Sequence, residues 1–305
     1  MKPSALTIGK FDGVHAGHAR LLRETISLAA KFGVAPSVLT FDPHPACVVS
    51  PERAPRPLTS LDDRCALMRG LGIEQIFILR FTPEIARLSP EEFVVRYVRG
   101  EMQARGVVIG GNFRFGHKQS GDASTLTALG ERYGFETRLV APVARRGMIV
   151  STSEIRSLLE RGEVSRACRL LERPYAISGE VVHGFGIGAK QTVPTLNLRP
   201  PREVLPANGV YITRTTDPEN GRRWNSVTNI GVRPTFGGED LSIETFLLDA
   251  LDGPTPACIR VEFLRRVRDE RKFDSADSLK RQILFDVGRA KMFFQRVGKW
   301  ARALN

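Results

Sequence analysis

The stretch Gly9-Lys10-Phe11-Asp12-Gly13-Val14-His15-Ala16-Gly17-His18 decides the fold of the first half of this chain. A short apolar run over 5–8 precedes it and reads as a strand. Residues 16–32 follow it with Leu21, Leu22, Ile26, Ala29 and Ala30 at helical spacing. A strand, a glycine-bearing turn and a helix open an α/β unit. Glycines at such a turn let a phosphate approach the backbone, and the helix N-terminus offers free N–H groups and a partial positive charge. His15 and His18 are three apart and share one helical face. Two imidazoles there can donate hydrogen bonds to a transferring phosphoryl group. The plainer alternative is a surface or metal-binding pair, for which His44, His117 and His183 are the remaining imidazoles.

The pattern continues outward from this turn. Strands are expected at 37–41, 75–81, 107–110 and 136–141. A helix capped by Ser60 runs to about 71. Ser89-Pro90-Glu91-Glu92 is a second helix start, with Ser at the cap, Pro at the first position and Glu three residues after the cap. The Pro-rich stretch 42–57 reads as a loop. Alternating strands and helices imply a parallel sheet covered on both faces, with ligands beyond the carboxyl ends of its strands. The loops after Ile8, Phe41 and Ile109 are therefore the functional ones.

The second half reads differently. Residues 153–171 look helical, with a break near Gly162. After Arg173-Pro174 come β-like runs at 176–182, 193–198, 210–214, 223–229, 241–248 and 258–264, separated by Asn208-Gly209, Asn220-Gly221, Gly237-Gly238 and Asp252-Gly253. Six short strands at this spacing predict a small antiparallel barrel, and a helix over 275–299 closes the chain. The expected division is 1–172 and 173–305.

With 305 residues, 42% of them hydrophobic, the chain can bury a substantial core, which excludes global disorder. No apolar run reaches the roughly 18 residues of a membrane span, and the start Met1-Lys2-Pro3-Ser4 lacks a signal-peptide core. Cys47, Cys65, Cys168 and Cys258 are scattered, against both a disulfide framework and a zinc knuckle, so a reduced cytoplasm is expected. Net charge is +12, and residues 260–305 hold 13 Lys and Arg against 6 Asp and Glu. That surplus attracts anions of any kind. Basic residues interleaved with aromatics are missing, as is helix-turn-helix spacing, so phosphorylated small molecules are expected as partners rather than nucleic acid or membrane. Oligomeric state is not legible in the sequence.

The His-x-Gly-His after Gly-x-Phe-Asp-Gly-Val resembles the nucleotidyltransferases that activate metabolites with ATP and release pyrophosphate. More narrowly, the whole chain resembles the bacterial bifunctional riboflavin kinase/FAD synthetase family. Phe41-Asp42-Pro43-His44-Pro45 matches after the second strand. Gly110-Gly111-Asn112-Phe113-Arg114-Phe115-Gly116 matches after the fourth, with Asn112 where the family often carries Asp. Ser151-Thr152-Ser153-Glu154-Ile155-Arg156 matches a phosphate-binding motif. Hydroxyls and N–H groups at a helix start, with an Arg fork, suit a triphosphate; a plain N-cap is the commoner reason for Ser there. The resemblance implies a Rossmann-like nucleotidyltransferase domain that adenylylates FMN. It gives catalytic roles to His15, His18 and Arg156, and ATP or flavin contacts to Gly9, Phe11, Asp12, Gly13, His44, Asn112, Ser151 and Thr152.

In the second half, Gly184, Gly186, Gly188 and Lys190 form a glycine-rich loop that is not a P-loop, which would end Gly-Lys-Ser/Thr. Val193-Pro194-Thr195-Leu196-Asn197 resembles the riboflavin kinase motif in which Thr and Asn hold Mg²⁺. A hydroxyl and an amide oxygen are suitable hard ligands. The loop departs from the family pattern at Ala189, Thr192 and Leu196, where Arg, Gly and Ala are usual. Asn208-Gly209-Val210-Tyr211, the stretch 229–236 and Ile243-Glu244-Thr245-Phe246 also match. By the resemblance Glu244 is the catalytic carboxylate, able to take the flavin 5′-hydroxyl proton. Alternation turns it away from Ile243 and Thr245. Arg268 and Glu270 fall in the stretch that lines the family's flavin site.

The implied activity is riboflavin plus ATP to FMN, then FMN plus ATP to FAD, with Mg²⁺ in both steps. Two alternatives stand beside it: adenylyl transfer alone, with an altered kinase loop, or a flavin- or nucleic-acid-binding regulator on the same scaffold.

Overall fold

The computed structural model describes residues 2–182, 195–235, 238–271 and 273–303. The chain divides into two compact units, Met1–Thr152 and Ser153–Asn305.

In the first unit β1 (Ser4–Ile8) leads through the His15 turn into α1 (Ala16–Phe32) and β2 (Ala35–Asp42). The Pro-rich stretch after β2 is not all loop. It holds α2 (Pro45–Val49) and a 3₁₀ turn (Pro51–Arg53), because Pro45 and Pro51 each occupy a first helical position, where the missing N–H costs nothing. Then come α3 (Leu61–Gly70), β3 (Gln75–Arg80), α4 (Pro83–Ala86) and α5 (Pro90–Phe93), which runs on as a π-helix over Val94–Glu101. The expected capping box is present: Ser89 Oγ accepts from Glu92 N at 3.2 Å, and Ser89 N donates to Glu92 Oε2 at 2.8 Å. Next are β4 (Ala104–Gly110), α6 (Ala123–Tyr133), β5 (Glu136–Val140) and a two-stranded hairpin, β6 (Ala144–Arg145) and β7 (Met148–Ile149). The parallel sheet has the order β3-β2-β1-β4-β5. Its order reverses at β1, so the crevice beyond β1 and β4 is where a ligand belongs.

Alternation sorts the core. Leu6, Ile8, Val107 and Ile109 face Phe93, Tyr97 and Leu126, whereas Ala5 and Val108 face Leu28 and Ala29 of α1. Gly106 lets α1 sit close: a Cβ there would lie 2.6 Å from Leu28 Cδ2.

The boundary falls after the first residue of α7 (Thr152–Glu160), and the rest of α7 with α8 (Val164–Leu171) opens the second unit, broken at Gly162 (φ 74°) as the sequence implies. These helices lean on the barrel: Ser165 Oγ donates to Leu264 O at 3.0 Å, and Cys168 Sγ donates to Phe263 O at 3.4 Å. The barrel strands are β8 (Tyr175–Val182), β9 (Thr195–Leu198), β10 (Gly209–Thr216), β11 (Arg223–Thr235), β12 (Gly238–Leu247) and β13 (Cys258–Asp269), and they close in the order β10-β11-β12-β9-β8-β13. The interior is partly polar. Thr213, Thr215, Ser226, Thr228 and Thr245 are fully buried there and satisfy one another, with O···O distances of 2.8–3.0 Å. α9 (Ala276–Ala303) crosses the outside. It is anchored by Ala290 against Val210, Ile212 and Val227, and by the Asp286–Arg268 ion pair at 2.9 Å. Among the described residues no helix is long and apolar enough to cross a membrane, and the four cysteines are free.

Candidate active sites

The turn between β1 and α1 is strained. Phe11 (φ 50°) and Val14 (φ 35°) take left-handed backbone, which costs non-glycine residues about 1–3 kcal/mol each and persists only where the surroundings dictate it. The surroundings do so here. Asp12 is buried, and its Oδ1 accepts from Leu58 N (2.8 Å) and Thr59 N (3.2 Å). Gly13 N donates to Thr59 Oγ1 at 3.1 Å, and Gly9 N to Leu39 O at 3.1 Å. Asp12, read above as a ligand contact, thus holds the loop to the segment before α3.

His15 caps α1: its Nδ1 accepts from His18 N at 3.2 Å, which leaves the ring proton of the neutral form on Nε2. The His18 ring stacks on it, with centroids 3.7 Å apart and planes at 12°, and Phe11 flanks His18 at 5.1 Å. Gly17, not singled out in the sequence, makes room for this stack. A Cβ there would lie 3.1 Å from His15 Cε1. Beyond β2, His44 caps α2 through Nδ1, which accepts from Ala46 N at 3.1 Å. Beyond β4, Asn112 is exposed, in a turn closed by Phe113 N donating to Gly110 O at 3.0 Å. The loops that carry Gly9, Phe11, Gly13, His15, His18, His44 and Asn112 therefore leave the same edge of the sheet. Ser151 and Thr152 end the first unit, whereas Arg156, one turn into α7, belongs to the second.

In the barrel, register rather than loop geometry assembles the candidates. Glu244 pairs with Asn197 across β12 and β9, and Phe246 pairs with Thr195. Ile243, Thr245 and Leu247 are buried, so Glu244 lies on the opposite face, as alternation requires. Thr195 and Asn197 alternate with buried Leu196 and Leu198 and so share one face of β9. Ser242 Oγ donates to Glu244 Oε1 at 3.1 Å. Gly184, Gly186, Gly188 and Lys190 lie outside the described residues.

Glu270 is tied to the barrel end: Oε1 accepts from Val232 N (3.2 Å), and Oε2 from Asn208 Nδ2 (3.1 Å). Arg268 reaches the buried Asp286 with Nε and lies over the Phe273 ring at 5.7 Å; Arg271 lies over the same ring at 5.2 Å. Beside them, between the end of β13 and the start of α9, opens a cleft of about 460 Å³ lined by Arg271, Phe273, Asp274, Arg281, Gln282 and Phe285.

Residues 1–154 match the family model described as FAD synthetase, and residues 171–294 match that of riboflavin kinase. The chain belongs to the bifunctional riboflavin kinase/FMN adenylyltransferase family. Relatives so named are 34% identical in Pseudomonas fluorescens, over 93% of this chain and 91% of that one, and 32% identical in Escherichia coli strain K12, over 95% and 92%. A solved structure described as a macrolide-efflux protein from Streptococcus pneumoniae is similar along the whole chain. Its TM-score is 0.86 at 28% identity, covering 95% of this chain and 94% of that one.

Membership explains why one chain carries two unlike constellations. The structure also shows what motif reading passed over. Thr59 and Arg64 lie outside every motif noted above, and Gly17 lies within one without having been given a role, yet all three hold the histidine turn. Arg64 alone carried a legible signal, a cation in the first turn of a helix, where the dipole disfavours it.

Proposed function

We propose that the chain phosphorylates riboflavin with ATP to give FMN, and adenylylates FMN with ATP to give FAD and pyrophosphate. The observation that carries this reading is the barrel register, which pairs Glu244 with Asn197, two residues along β9 from Thr195. In the kinase step Glu244 accepts the proton of the riboflavin 5′-hydroxyl as that oxygen bonds to the γ-phosphorus and ADP leaves. Thr195 and Asn197 fit Mg²⁺: both offer neutral hard oxygens on one face of a strand, beside a carboxylate. Bound there, the metal supplies charge neutralisation for the ATP phosphates. The cleft beside Phe273 suits a flavin ring, with an aromatic floor and the guanidiniums of Arg271 and Arg281.

In the adenylyl transfer an FMN phosphate oxygen bonds to the α-phosphorus of ATP as the bond to the pyrophosphate oxygen breaks. No proton leaves the nucleophile, so catalysis is positioning and charge stabilisation. His15 and His18 face that charge from the start of α1. The domains we assign are 1–172 for adenylyl transfer and 173–305 for phosphorylation; they differ from the compact units in where α7 and α8 are counted. We place the reactions in the cytoplasm, where four free cysteines stay reduced.

The test is product analysis of the purified chain with ATP and Mg²⁺, begun separately from riboflavin and from FMN. The expected products are FMN then FAD from the first, and FAD from the second. FAD from FMN without any FMN from riboflavin would remove the kinase half of the proposal.

A further inference from the structure

Arg64 is a cation placed against two unfavourable terms. It sits in the first turn of α3, four residues after the Ser60 cap, where the helix dipole presents its positive end. It is also 7% exposed. Burial pushes its guanidinium below the ordinary value, opposed in part by the charges of Asp12, Cys65 and Asp42. A charge kept under such conditions needs compensation from its contacts.

The contacts are specific. Nη1 donates to Lys10 O at 2.8 Å, and Nη2 donates to Phe41 O at 3.4 Å. Lys10 lies in the turn that leaves β1 toward His15, and Phe41 is the last residue but one of β2, just before the segment that leads to His44. Lys10 O also accepts from Thr40 Oγ1 at 3.2 Å, so its peptide is held from two sides. The next residue is Phe11, whose strained backbone carries the ring that flanks His18. Arg64 Nε is buried without a hydrogen-bond partner among the described residues, so the fork itself carries the guanidinium's polar contacts.

We propose that Arg64 is a positioning residue for adenylyl transfer. Its fork bridges the Lys10 and Phe41 carbonyls, fixes the peptide before Phe11, and thereby sets the His15–His18 stack toward the nucleotide phosphates. This rests on the reading of those histidines given above. In this role Arg64 acts through backbone rather than on substrate: through the turn after β1 and the end of β2. A methionine of similar length fills the space without the fork, and a lysine brings a single point of donation that cannot span both carbonyls.

The test uses the full-length chain with FMN, ATP and Mg²⁺. Wild-type FAD formation is the reference, and its absence would overturn both this inference and the reading beneath it. For Arg64→Met, kcat is expected to fall about 30-fold or more with KM for ATP changed far less, since a 1 Å misplacement costs roughly 10²-fold. Riboflavin phosphorylation by the same preparation should stay within about twofold of wild type, because the carboxylate and metal ligands of that step lie in the other unit. Arg64→Lys should recover part of the rate yet remain about fivefold or more below wild type. Folded Arg64→Met or Arg64→Lys protein with an undiminished kcat would overturn the positioning role. So would failure of both variants to fold, which would make Arg64 a stability residue only.

Discussion

Replacing His18 by alanine separates chemistry from folding more cleanly than any other change at the histidine turn. The α1 cap uses the backbone N–H of residue 18, which donates to His15 Nδ1 at 3.2 Å, so alanine keeps it. What is lost is a half-buried ring stacked 3.7 Å from His15 and flanked by Phe11. An aromatic pair of this kind is worth about 0.5–1.5 kcal/mol. Alanine returns about half a kcal/mol through its higher helix propensity. The net destabilisation is therefore about 1 kcal/mol or less, a shift of roughly 2–4 °C for a unit of this size. The catalytic loss is larger: removing one preorganised donor from a developing charge costs about 2.7–4 kcal/mol, or 10²–10³ in kcat. The assay follows FAD from FMN and FMN from riboflavin by chromatography, at a temperature below both unfolding transitions. FAD formation should drop by about two to three decades while FMN formation continues. A His18→Ala protein that still makes FAD within threefold of the wild-type rate would refute the reasoning, and so would equal loss of both activities.

Three further outcomes are expected. Glu244→Gln keeps the strand pairing with Asn197 but removes the proton acceptor, so riboflavin phosphorylation should fall about 10²–10⁴-fold with FAD formation from added FMN unchanged; undiminished kinase turnover removes Glu244 from the mechanism. Gly17→Ala gains about 1 kcal/mol of helix propensity but puts a Cβ 3.1 Å from His15 Cε1, so FAD synthesis should fall while the unfolding temperature holds or rises, and an unaltered rate would show that the stack has room to move. The Tyr211 hydroxyl, which donates to Ala207 O, is pushed up to about 12 by burial. Because the folded value is raised, its contribution to stability is full below about pH 10, where an unfolded tyrosine ionises, and is lost as pH climbs through about 12. Urea midpoints across that window should decline less steeply in Tyr211→Phe, and parallel slopes would sink this assignment.

Much of the architecture was legible because local signals agreed with the global pattern. The run 16–32 has its bounds written in His15 and Gly33, and Ser89 with Glu92 forms the box their spacing implies. What stayed hidden had weaker or competing signals. α6 carries Asp122 as its cap and Gly134 at its end, but within it only Leu126 and Gly130 are buried, so no apolar stripe announced it. Its cap is firm all the same: Thr125 N and the Ser124 and Thr125 hydroxyls hold the Asp122 carboxyl well below the usual range. The Pro-rich stretch 42–57 reads as a loop, whereas two of its prolines, Pro45 and Pro51, stand at first helical positions and start turns. The hydroxyl-lined barrel interior defeats a reading that equates polar with exposed, because Thr213, Ser226, Thr228 and Thr245 satisfy one another across strands. Among the candidate site residues, Thr195, Asn197 and Glu244 were named by the family resemblance, and alternation supplied only the face on which Glu244 lies. The pairing of β12 with β9, which brings Glu244 opposite Asn197, came from the structure.

The histidine turn shows why a motif read as a single functional signature divides in two. Phe11, Asp12, Gly13 and Gly17 serve the loop: one ring supports His18, one carboxylate anchors two amides, one glycine takes φ 76°, and another leaves space for an imidazole. His15 caps α1 through Nδ1, which puts the ring proton of its neutral form on Nε2, the nitrogen that the proposed chemistry would use. The cap bond at residue 18 is made by its backbone N–H, so the His18 ring takes no part in it. The rigid spacing of the motif then follows from folding as much as from catalysis. An insertion of one residue between Asp12 and His15 would leave every catalytic side chain present, yet it would break the registry between the Leu58 and Thr59 amides and the α1 cap. That registry is what aims the imidazoles.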